Sequence, residues 1–276
     1  SSLTGKRLLQ WQASCDPQEY WIVDNIEGRL DPAHHRGRRL VAKVGDWLEL
    51  HPAEKRQPWY VEIPRLAQLA WQAVEARREA FGEAQLAHRI REYLPEQGQL
   101  FVGNSMPIRL LDMLGTSGTQ PTHVYSNRGA SGIDGLIATA AGIAKATPSE
   151  PTTLLIGDTS TLYDLNSLAL LQDLTSPFVL LIINNNGGNI FHMLPVPEHN
   201  QIRERFYQLP HHLDFSASAK QFGLNYTALH DIPSFKESYL AALQQMGATV
   251  LECHVTTGEA AKWLKNIALQ IRKLSV

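Results

Sequence analysis

The sequence contains only two cysteines, Cys15 and Cys253, among its 276 residues. Two thiols cannot form a disulfide framework, so the sequence predicts a protein of a reducing compartment, the cytoplasm. No apolar run approaches the roughly 20 residues that a transmembrane helix needs, so no membrane span is predicted. The first residues, SSLTGKRLLQW, lack the apolar core of a signal peptide.

An excess of charge of either sign is also missing. The formal net charge is -2, with 43% hydrophobic and 19% charged residues, which is typical of a soluble globular protein. A chain this close to neutrality does not attract nucleic acid or an anionic membrane, so neither partner is predicted. Internal repeats and low-complexity tracts are absent as well.

Apolar runs typical of buried strands alternate with helical patterns from residue 99 onwards. The pattern predicts strands at 99–103, 123–125, 152–156, 178–183, 225–229 and 249–254. It predicts helices at 107–114, 133–144, 162–174, 217–222, 234–245 and 259–274. Unbroken apolar strands that alternate with helices indicate an α/β fold, a doubly wound parallel sheet with helices on both faces.

The first 60 residues show a different pattern. Short strand-like runs at 7–12, 20–25, 40–44 and 47–50 surround a basic tract at 34–39, which is interpreted as a solvated loop. Sixty residues are too few for a well-filled core, so 1–60 is predicted to be part of a smaller α/β domain and 61–276 the main domain. Two helices, at 64–81 and 84–93, are predicted to open the main domain.

Polar residues follow two of the predicted strands where each strand ends. Asp158 follows the strand at 152–156, and Asn185 lies 27 residues later within the run NNNGG that follows the strand at 178–183. Carboxyl ends of parallel strands meet at one edge of a sheet, and carboxylate, amide and carbonyl oxygens suit Mg²⁺ or Ca²⁺. The hydroxyl residues 159–161 could then contact phosphate. The alternative is a plain helix cap and a plain turn.

This Gly-Asp pair, followed about two dozen residues later by Asn-Asn, resembles the diphosphate- and metal-binding motif of thiamine diphosphate (ThDP) enzymes. The resemblance implies ThDP as cofactor and Mg²⁺ or Mn²⁺ as its metal. Its implied metal ligands are Asp158, Asn185 and Gly187, and its implied diphosphate contacts are Gly157, Asp158, Thr159 and Ser160. The motif usually has glycine where this chain has Thr159, which has less backbone freedom.

Three further stretches narrow the resemblance: GNSMPIRLLD at 103–112, YSNRGASGIDG at 125–135 and NNNGGNIFHMLPV at 184–196. Together they resemble the C-terminal half of the menaquinone-biosynthesis branch of the family, and the likeness extends over essentially the whole chain. It implies that 2-oxoglutarate is decarboxylated and that the succinyl-semialdehyde carbanion adds to isochorismate in a 1,4-addition. It also implies a middle domain ending at residue 60 and a diphosphate-binding domain with its linker helix at 61–276.

The resemblance also implies roles for individual residues near the cofactor. Ile133, after the small residues Ser131 and Gly132, is the implied apolar prop that presses the two cofactor rings together. The backbone of Ser131 is the implied acceptor for the aminopyrimidine ring. On the residues alone, Ile133 could equally be an ordinary core residue.

Arg109 and Arg128 are the implied ligands of the substrate carboxylates, because a guanidinium group can bind a carboxylate with two hydrogen bonds. Ser105 is implied to orient the substrate, although capping of the following helix explains it equally well. The other implied substrate contacts are Lys6 and Arg7 for isochorismate, and an apolar wall of Ile190, Phe191 and Leu194 that excludes water. His192, His211 and His212 have no metal-ligand spacing and are predicted to be surface or structural residues.

ThDP activation in this family needs a glutamate from an N-terminal pyrimidine-binding domain, and no segment here resembles that domain. The chain is therefore expected to be the C-terminal half of a longer enzyme, inactive alone, with the N-terminal half and a second subunit as partners in a homodimer or a dimer of dimers. Two alternatives stay open: another ThDP-dependent 2-oxoacid decarboxylase or lyase, and a non-catalytic nucleotide-binding module. The second alternative lacks the expected G-x-G-x-x-G.

Overall fold

The computed structural model describes residues 6–28, 35, 37–52, 54, 55, 57, 60–115, 122–194 and 200–274. The chain forms two compact units, Ser1–Arg65 and Leu66–Val276, so the division lies five residues beyond the predicted boundary at 60. Of the helices in the described ranges, none combines the length and the apolar character that a bilayer crossing requires.

The first unit contains two helices and two strands within its described residues. They are α1 (Lys6–Ser14), β1 (Trp21–Asp24), β2 (Arg38–Val41) and α2 (Val44–Leu50). The two strands pair in parallel, with Trp21 opposite Arg38.

Two of the predicted strands in this unit are wrong, because 7–12 lies in α1 and 47–50 lies in α2. An apolar run of four to six residues fits a helix turn as well as a strand, and periodicity cannot separate the two. The basic tract at 34–39 is not entirely a loop either. Its last residues, Arg38 and Arg39, lie in β2, where Arg39 pairs with Ile22.

Helices and strands alternate through the rest of the chain. The elements are α3 (Glu62–Glu75), α4 (Glu83–Tyr93), β3 (Gln99–Val102), α5 (Met106–Leu114), β4 (His123–Tyr125), α6 (Leu136–Ala146), β5 (Thr152–Gly157), α7 (Asp158–Tyr163), a 3₁₀ helix (Leu165–Leu171), β6 (Pro177–Asn184), a 3₁₀ turn (Asn189–His192), α8 (Asn200–Arg203), a π-helical turn (Glu204–Gln208), α9 (Ser216–Gln221), β7 (Asn225–Leu229), α10 (Ile232–Ala242), β8 (Gly247–His254) and α11 (Glu259–Leu274).

The described strands of this unit form one parallel sheet in the order β4-β3-β5-β6-β8-β7. This arrangement confirms the predicted α/β, doubly wound fold. The chain leaves β3 toward β4 on one side and then returns to β5 on the other, so the winding direction reverses between β3 and β5. In such sheets ligands bind in the crevice at that reversal, beyond the carboxyl ends of the strands.

The central strand β6 shows why its sequence is apolar without interruption. Phe178, Leu180 and Ile182 pack into the core on one face of the sheet, and the intervening residues, Val179 and Leu181 among them, pack into a second core on the other face. Side chains of a strand alternate between faces, so a strand with helices on both sides must be apolar at every position.

The helix predicted at 162–174 differs from the structure. α7 begins at Asp158 and ends at Tyr163, and a 3₁₀ helix follows. The break is at Asp164, whose Oδ2 accepts hydrogen bonds from the backbone N–H groups of Ile137 (2.7 Å) and Ala138 (3.2 Å) in the first turn of α6. Because the Asp164 carboxylate caps α6, this residue does not continue α7. Local periodicity cannot predict such a bond between distant segments.

Two other helices are shorter than predicted. α3 ends at Glu75 rather than at 81, and α6 begins at Leu136 rather than at 133. Gly135, the residue before α6, has a φ of 68°, a left-handed conformation that a continuing helix cannot contain.

A buried hydroxyl pair gives a test of how the sheet and its helical layer hold together. The hydroxyl groups of Thr153 in β5 and Tyr239 in α10 lie 2.6 Å apart, and both residues are fully buried. Tyr239→Phe leaves the threonine hydroxyl without its partner, so we expect the free energy of unfolding to fall by about 1–2 kcal/mol in urea denaturation. Adding Thr153→Val should recover part of that loss. A double variant whose loss of unfolding free energy equals the sum of the losses in the two single variants would contradict this account.

Candidate functional site

Asp158 joins the ends of β5 and β6. Gly157 pairs with Ile183 across the two strands, so the residues that follow them are neighbours. The Asp158 side chain is 2% exposed. Its Oδ2 accepts hydrogen bonds from the backbone N–H groups of Asn185 (3.1 Å) and Gly187 (2.9 Å). The two segments that the sequence analysis connected therefore meet at one carboxylate.

The three consecutive asparagines after β6 have different tasks. Asn184 donates from Nδ2 to the buried Glu252 carboxylate (2.6 Å), and Asn186 accepts from the backbone N–H of His211 (3.0 Å) at its Oδ1. Both bonds hold the strand end to neighbouring segments. Of the three side chains, that of Asn185 lines the cavity at the strand ends.

Among the described residues, one polar atom of the Asn185 side-chain amide has a hydrogen-bond partner and the other has none. Its Nδ2 donates to Oε2 of Glu83 (3.1 Å). Its Oδ1 is buried and accepts no hydrogen bond from any described residue. A buried amide oxygen without a donor is costly unless something else binds it, and a hard cation is a suitable ligand for it.

Gly187 can only be glycine. Its φ is +114°, and a Cβ at this position would collide with the carbonyl oxygen of Gln208. Its own carbonyl oxygen accepts hydrogen bonds from the backbone N–H (2.8 Å) and Nδ2 (3.3 Å) of Asn189. Both lone pairs are thus engaged, and the role of this oxygen as a third metal ligand stays a prediction.

A cavity of about 350 Å³ lies where residues follow β3, β4, β5 and β6, at the reversal of the sheet winding. Ten of the predicted site residues line it: Ser105, Ile133, Gly157, Asp158, Thr159, Ser160, Asn185, Gly187, Ile190 and Phe191. The structure therefore brings together four chain segments, those that follow β3, β4, β5 and β6, at the place where this type of sheet binds ligands.

The residues present fit a metal-bound diphosphate cofactor. Asp158 supplies a buried carboxylate beside the open Oδ1 of Asn185, which is a hard-oxygen donor set. A Cβ on Gly157 would meet no described atom within 4 Å, so the backbone leaves open space at the cavity edge. Within the described ranges there is no group of three or more His, Cys, Asp and Glu side chains that could hold a metal instead.

Arg109 and Arg128 do not line the cavity, but each donates a hydrogen bond to the segment that contains Ser105. Arg109 donates from Nη1 to the carbonyl oxygen of Ser105 (2.6 Å), and Arg128 donates from Nη1 to Oδ1 of Asn104 (2.9 Å). Burial lowers the pKa of the Arg109 guanidinium, and the nearby positive charge of Arg128 lowers it further. Two like charges this close favour an anion between or beside them.

Ser131, Gly132 and Leu194 do not line the cavity. Ser131 and Gly132 are exposed, and Leu194 is 48% exposed, because the 3₁₀ turn that carries the rest of the predicted apolar wall ends before it. Lys6 and Arg7 form the first turn of α1 in the other unit. The side-chain roles implied for this basic pair fall outside what the structure describes.

Glu83, at the start of α4, is the main site residue that the sequence analysis missed. It is 4% exposed and lines the cavity. Burial raises the pKa of its carboxyl to about 8; the hydrogen bond from Asn185 opposes this shift, and the charges of Glu259 and Asp158 add to it. The sequence offered no signal, because an acidic residue in the first turn of a helix is ordinary.

Two other features of the site were not predicted. Nε2 of His211 lies 3.2 Å from Oδ2 of Asp158, so a histidine interpreted as a surface or structural residue contacts the predicted metal ligand. Three aromatic residues, Tyr163, Phe206 and Tyr207, also line the cavity. Their exposed fractions of 67%, 63% and 40% leave an apolar rim at its mouth.

Comparison with known protein families assigns the chain to one of them. It matches the middle domain of thiamine pyrophosphate enzymes over residues 1–102. It matches the C-terminal TPP binding domain of thiamine pyrophosphate enzymes over residues 113–253, which is more than half of the chain. The chain belongs to the thiamine pyrophosphate (ThDP) enzyme family.

Solved structures show the same architecture. A thiamine diphosphate-dependent 4-hydroxybenzoylformate decarboxylase from Rhodococcus jostii RHA1 matches with a TM-score of 0.56 and 20% identity, over 81% of this chain and 42% of that one. Benzoylformate decarboxylase from Polynucleobacter necessarius matches with a TM-score of 0.52 and 19% identity, over 63% and 33%. At this identity the likeness shows the fold alone, and this chain spans less than half the length of either enzyme.

Ser105, between β3 and α5, has a backbone that its residue type disfavours. Its φ is 71° and its ψ is -126°, a region that glycine adopts readily. Its side chain makes no capping hydrogen bond to a described residue, so the capping explanation is not supported. A conformation of this kind typically costs about 1–3 kcal/mol and persists at functional sites.

We therefore expect Ser105→Gly to raise the free energy of unfolding by about 1 kcal/mol in urea denaturation, after the larger unfolded-state entropy of glycine is subtracted. Ser105→Ala, which also removes the hydroxyl group but keeps the Cβ, is the matched control and should show no gain. Equal changes in the two variants would mean that the backbone at Ser105 is not strained.

Proposed function

We propose that the chain is the diphosphate-binding part of 2-succinyl-5-enolpyruvyl-6-hydroxy-3-cyclohexene-1-carboxylate synthase, a ThDP- and Mg²⁺-dependent transferase of menaquinone biosynthesis. The observation that carries the cofactor assignment is the buried Oδ1 of Asn185, which has no hydrogen-bond partner among the described residues, in the cavity that the buried Asp158 also lines. When bound, ThDP supplies the electron sink that allows a 2-oxoacid to lose carbon dioxide.

The chain's own residues would hold the cofactor through its charged end. Asp158, Asn185 and the Gly187 carbonyl would bind Mg²⁺ or Mn²⁺, with the carbonyl exchanging one of its present hydrogen bonds for the cation. Thr159 and Ser160, which line the cavity next to the open space at Gly157, would face the diphosphate. Ile133, which lines the same cavity, would contact the rings.

The choice of substrate rests on the arginine pair. A substrate with a carboxylate beyond the reacting carbon can bind two guanidinium groups, and 2-oxoglutarate has one. Nε of Arg128 is buried and has no hydrogen-bond partner in the described part of the chain, so the group has donor capacity left for an anion. Ser105, whose carbonyl binds Arg109, would orient the same substrate.

The acceptor half of the reaction needs a dry site. Ile190 and Phe191 line the cavity and would limit protonation of the reacting carbon by water, which competes with its addition to isochorismate. Lys6 and Arg7 are proposed to bind the isochorismate carboxylates.

A pyrimidine-binding N-terminal half and a second subunit, in a homodimer or a dimer of dimers, are proposed to complete the site. The exposed aromatic rim of the cavity supports a covering partner, because Tyr163 and Phe206 line the cavity and are 67% and 63% exposed.

A second candidate is decarboxylation of an aromatic 2-oxoacid, the activity in the names of the two solved structures above. The shared fold favours it to the same degree as any other ThDP chemistry. The paired charges of Arg109 and Arg128 favour the dicarboxylate instead, because an arylglyoxylate has no second carboxylate for them.

The cofactor assignment is tested by calorimetric titration of ThDP in the presence of Mg²⁺. Asp158→Ala removes a metal ligand, so we expect cofactor affinity to fall by about 100-fold or more, above the 10–100-fold typical of outer-shell changes. Asp173→Ala, the same change at an exposed position beyond the 3₁₀ helix, should bind like the wild type. Undiminished ThDP binding by Asp158→Ala would refute the metal site.

The substrate assignment is tested by carbon dioxide release from the chain mixed with a separately expressed pyrimidine-binding half. We expect turnover of 2-oxoglutarate in the mixture only, and little turnover of pyruvate or benzoylformate. Arg109→Met should raise the KM for 2-oxoglutarate by about 10-fold or more, since one charge-assisted hydrogen-bond pair is worth about 1.5–3 kcal/mol. Faster turnover of benzoylformate than of 2-oxoglutarate would favour the second candidate.

A further inference from the structure

The hydrogen bond between Glu83 and Asn185 connects residues that are 102 positions apart in the chain. Glu83 Oε2 accepts from Asn185 Nδ2 at 3.1 Å, and both side chains are buried, at 4% and 6% exposure. Glu83 is not one of the proposed metal ligands, yet it borders the cavity that they line. Its carboxylate is therefore in a position to act on the cation site through a ligand.

An asparagine amide can face a cation in two ways. Rotation by half a turn exchanges Oδ1, which a cation binds, for Nδ2–H₂, which a cation repels. With Nδ2 on Glu83, the atom left at the cavity is Oδ1, the buried oxygen without a donor among the described residues. With Glu83 ionised, the reverse orientation would place Oδ1 against a carboxylate oxygen, with two acceptors facing each other.

No other described contact orients this amide. The backbone of Asn185 is held well, because its N–H donates to Asp158 (3.1 Å) and its carbonyl accepts from Thr257 Oγ1 (2.9 Å) and from Asn189 Nδ2 (2.8 Å). These bonds fix where the side chain begins and leave its terminal rotation free. The described hydrogen bond of the amide group itself is the one to Glu83.

Glu83 is itself held in place. Its backbone N–H donates to Oε1 of Glu259 at the start of α11 (2.8 Å). The preceding residue is Gly82, and a Cβ there would approach both the Glu259 carboxylate and Oε1 of Gln85 at 2.6 Å. The close packing of α4 against α11 thus sets the position of the Glu83 carboxylate before any ligand binds.

We propose that Glu83 is a positioning residue that orients the Asn185 amide so that Oδ1 faces the metal of the cofactor. The inference rests on the proposed ThDP–metal site and adds the residue that prepares one of its ligands. Partners of metal ligands in this role typically contribute 10–100-fold to metal affinity.

The test measures Mn²⁺ affinity from the electron paramagnetic resonance signal of the free ion, with ThDP present at saturation. Glu83→Gln keeps the size of the side chain, but its terminal amide can accept from Asn185 or donate to it, so both orientations become possible. We expect Mn²⁺ to bind about 10–100-fold more weakly. Urea denaturation without metal should show a variant that is folded as stably as the wild type.

Two further variants separate orientation from charge. Glu259→Gln removes the same charge from the neighbouring, partly buried carboxyl group, which has no described hydrogen bond with Asn185. It should change Mn²⁺ affinity by less than about 3-fold, well below an outer-shell effect. Combining Glu83→Gln with Asn185→Asp exchanges the two groups: the new carboxylate offers oxygen to the cation in either orientation and accepts from the new amide. This double variant should bind within about 10-fold of the wild type, at the lower end of the outer-shell range.

The outcomes distinguish failure of the proposed function from failure of this inference alone. Failure of the wild type to bind Mn²⁺ with ThDP overturns the proposed function and this inference together. Wild-type affinity in Glu83→Gln overturns the inference alone. So does an equal loss in Glu259→Gln, which would mean that charge and not orientation matters, and so does a double variant that binds no better than Glu83→Gln.

Discussion

The carboxylate of Asp158 holds two separate parts of the chain at one point, and the site depends on that contact. Its Oδ2 accepts from the backbone N–H groups of Asn185 and Gly187, which lie beyond the neighbouring strand. A parallel sheet brings the ends of β5 and β6 to the same edge but does not set the path of the loop between β6 and the next element. Two charge-assisted hydrogen bonds set it here, and they bring the Asn185 side chain to the cavity.

Three carboxyl groups cluster near this edge of the sheet. The charges of Asp158 and Glu259 act on Glu83, and burial raises the pKa of both glutamates above their ordinary values. Ionisation of the two glutamates at this depth would need a counter-charge, and the proposed divalent cation would supply it. The same cation would satisfy the Asn185 oxygen, and one ligand would thus resolve two unfavourable features of the chain on its own.

The two sides of the cavity differ in electrostatic character. The carboxyl groups of Asp158 after β5 and Glu83 at the start of α4 line the cavity. Arg109 follows β3 and Arg128 follows β4, and they contact Ser105 and Asn104. The reversal of the sheet between β3 and β5 creates the crevice that separates them. A cation-bound diphosphate on one side and an anionic substrate on the other is the division of charge that this topology allows.

Local sequence patterns predict those features of this protein that depend on a single segment of the chain. The alternation of apolar strands with helices is visible in the sequence because every buried strand position must be apolar, and the oxygen-bearing strand ends are visible because they interrupt those runs. Helix ends were less predictable: Asp164 ends α7 because it caps α6, a bond between segments. The helices α1 and α2 were mistaken for strands because their apolar runs are too short for periodicity to decide. Glu83 and His211 joined the site only through tertiary structure, because an ordinary helix-start glutamate and an isolated histidine acquire a role only when packing places them beside Asn185 and Asp158.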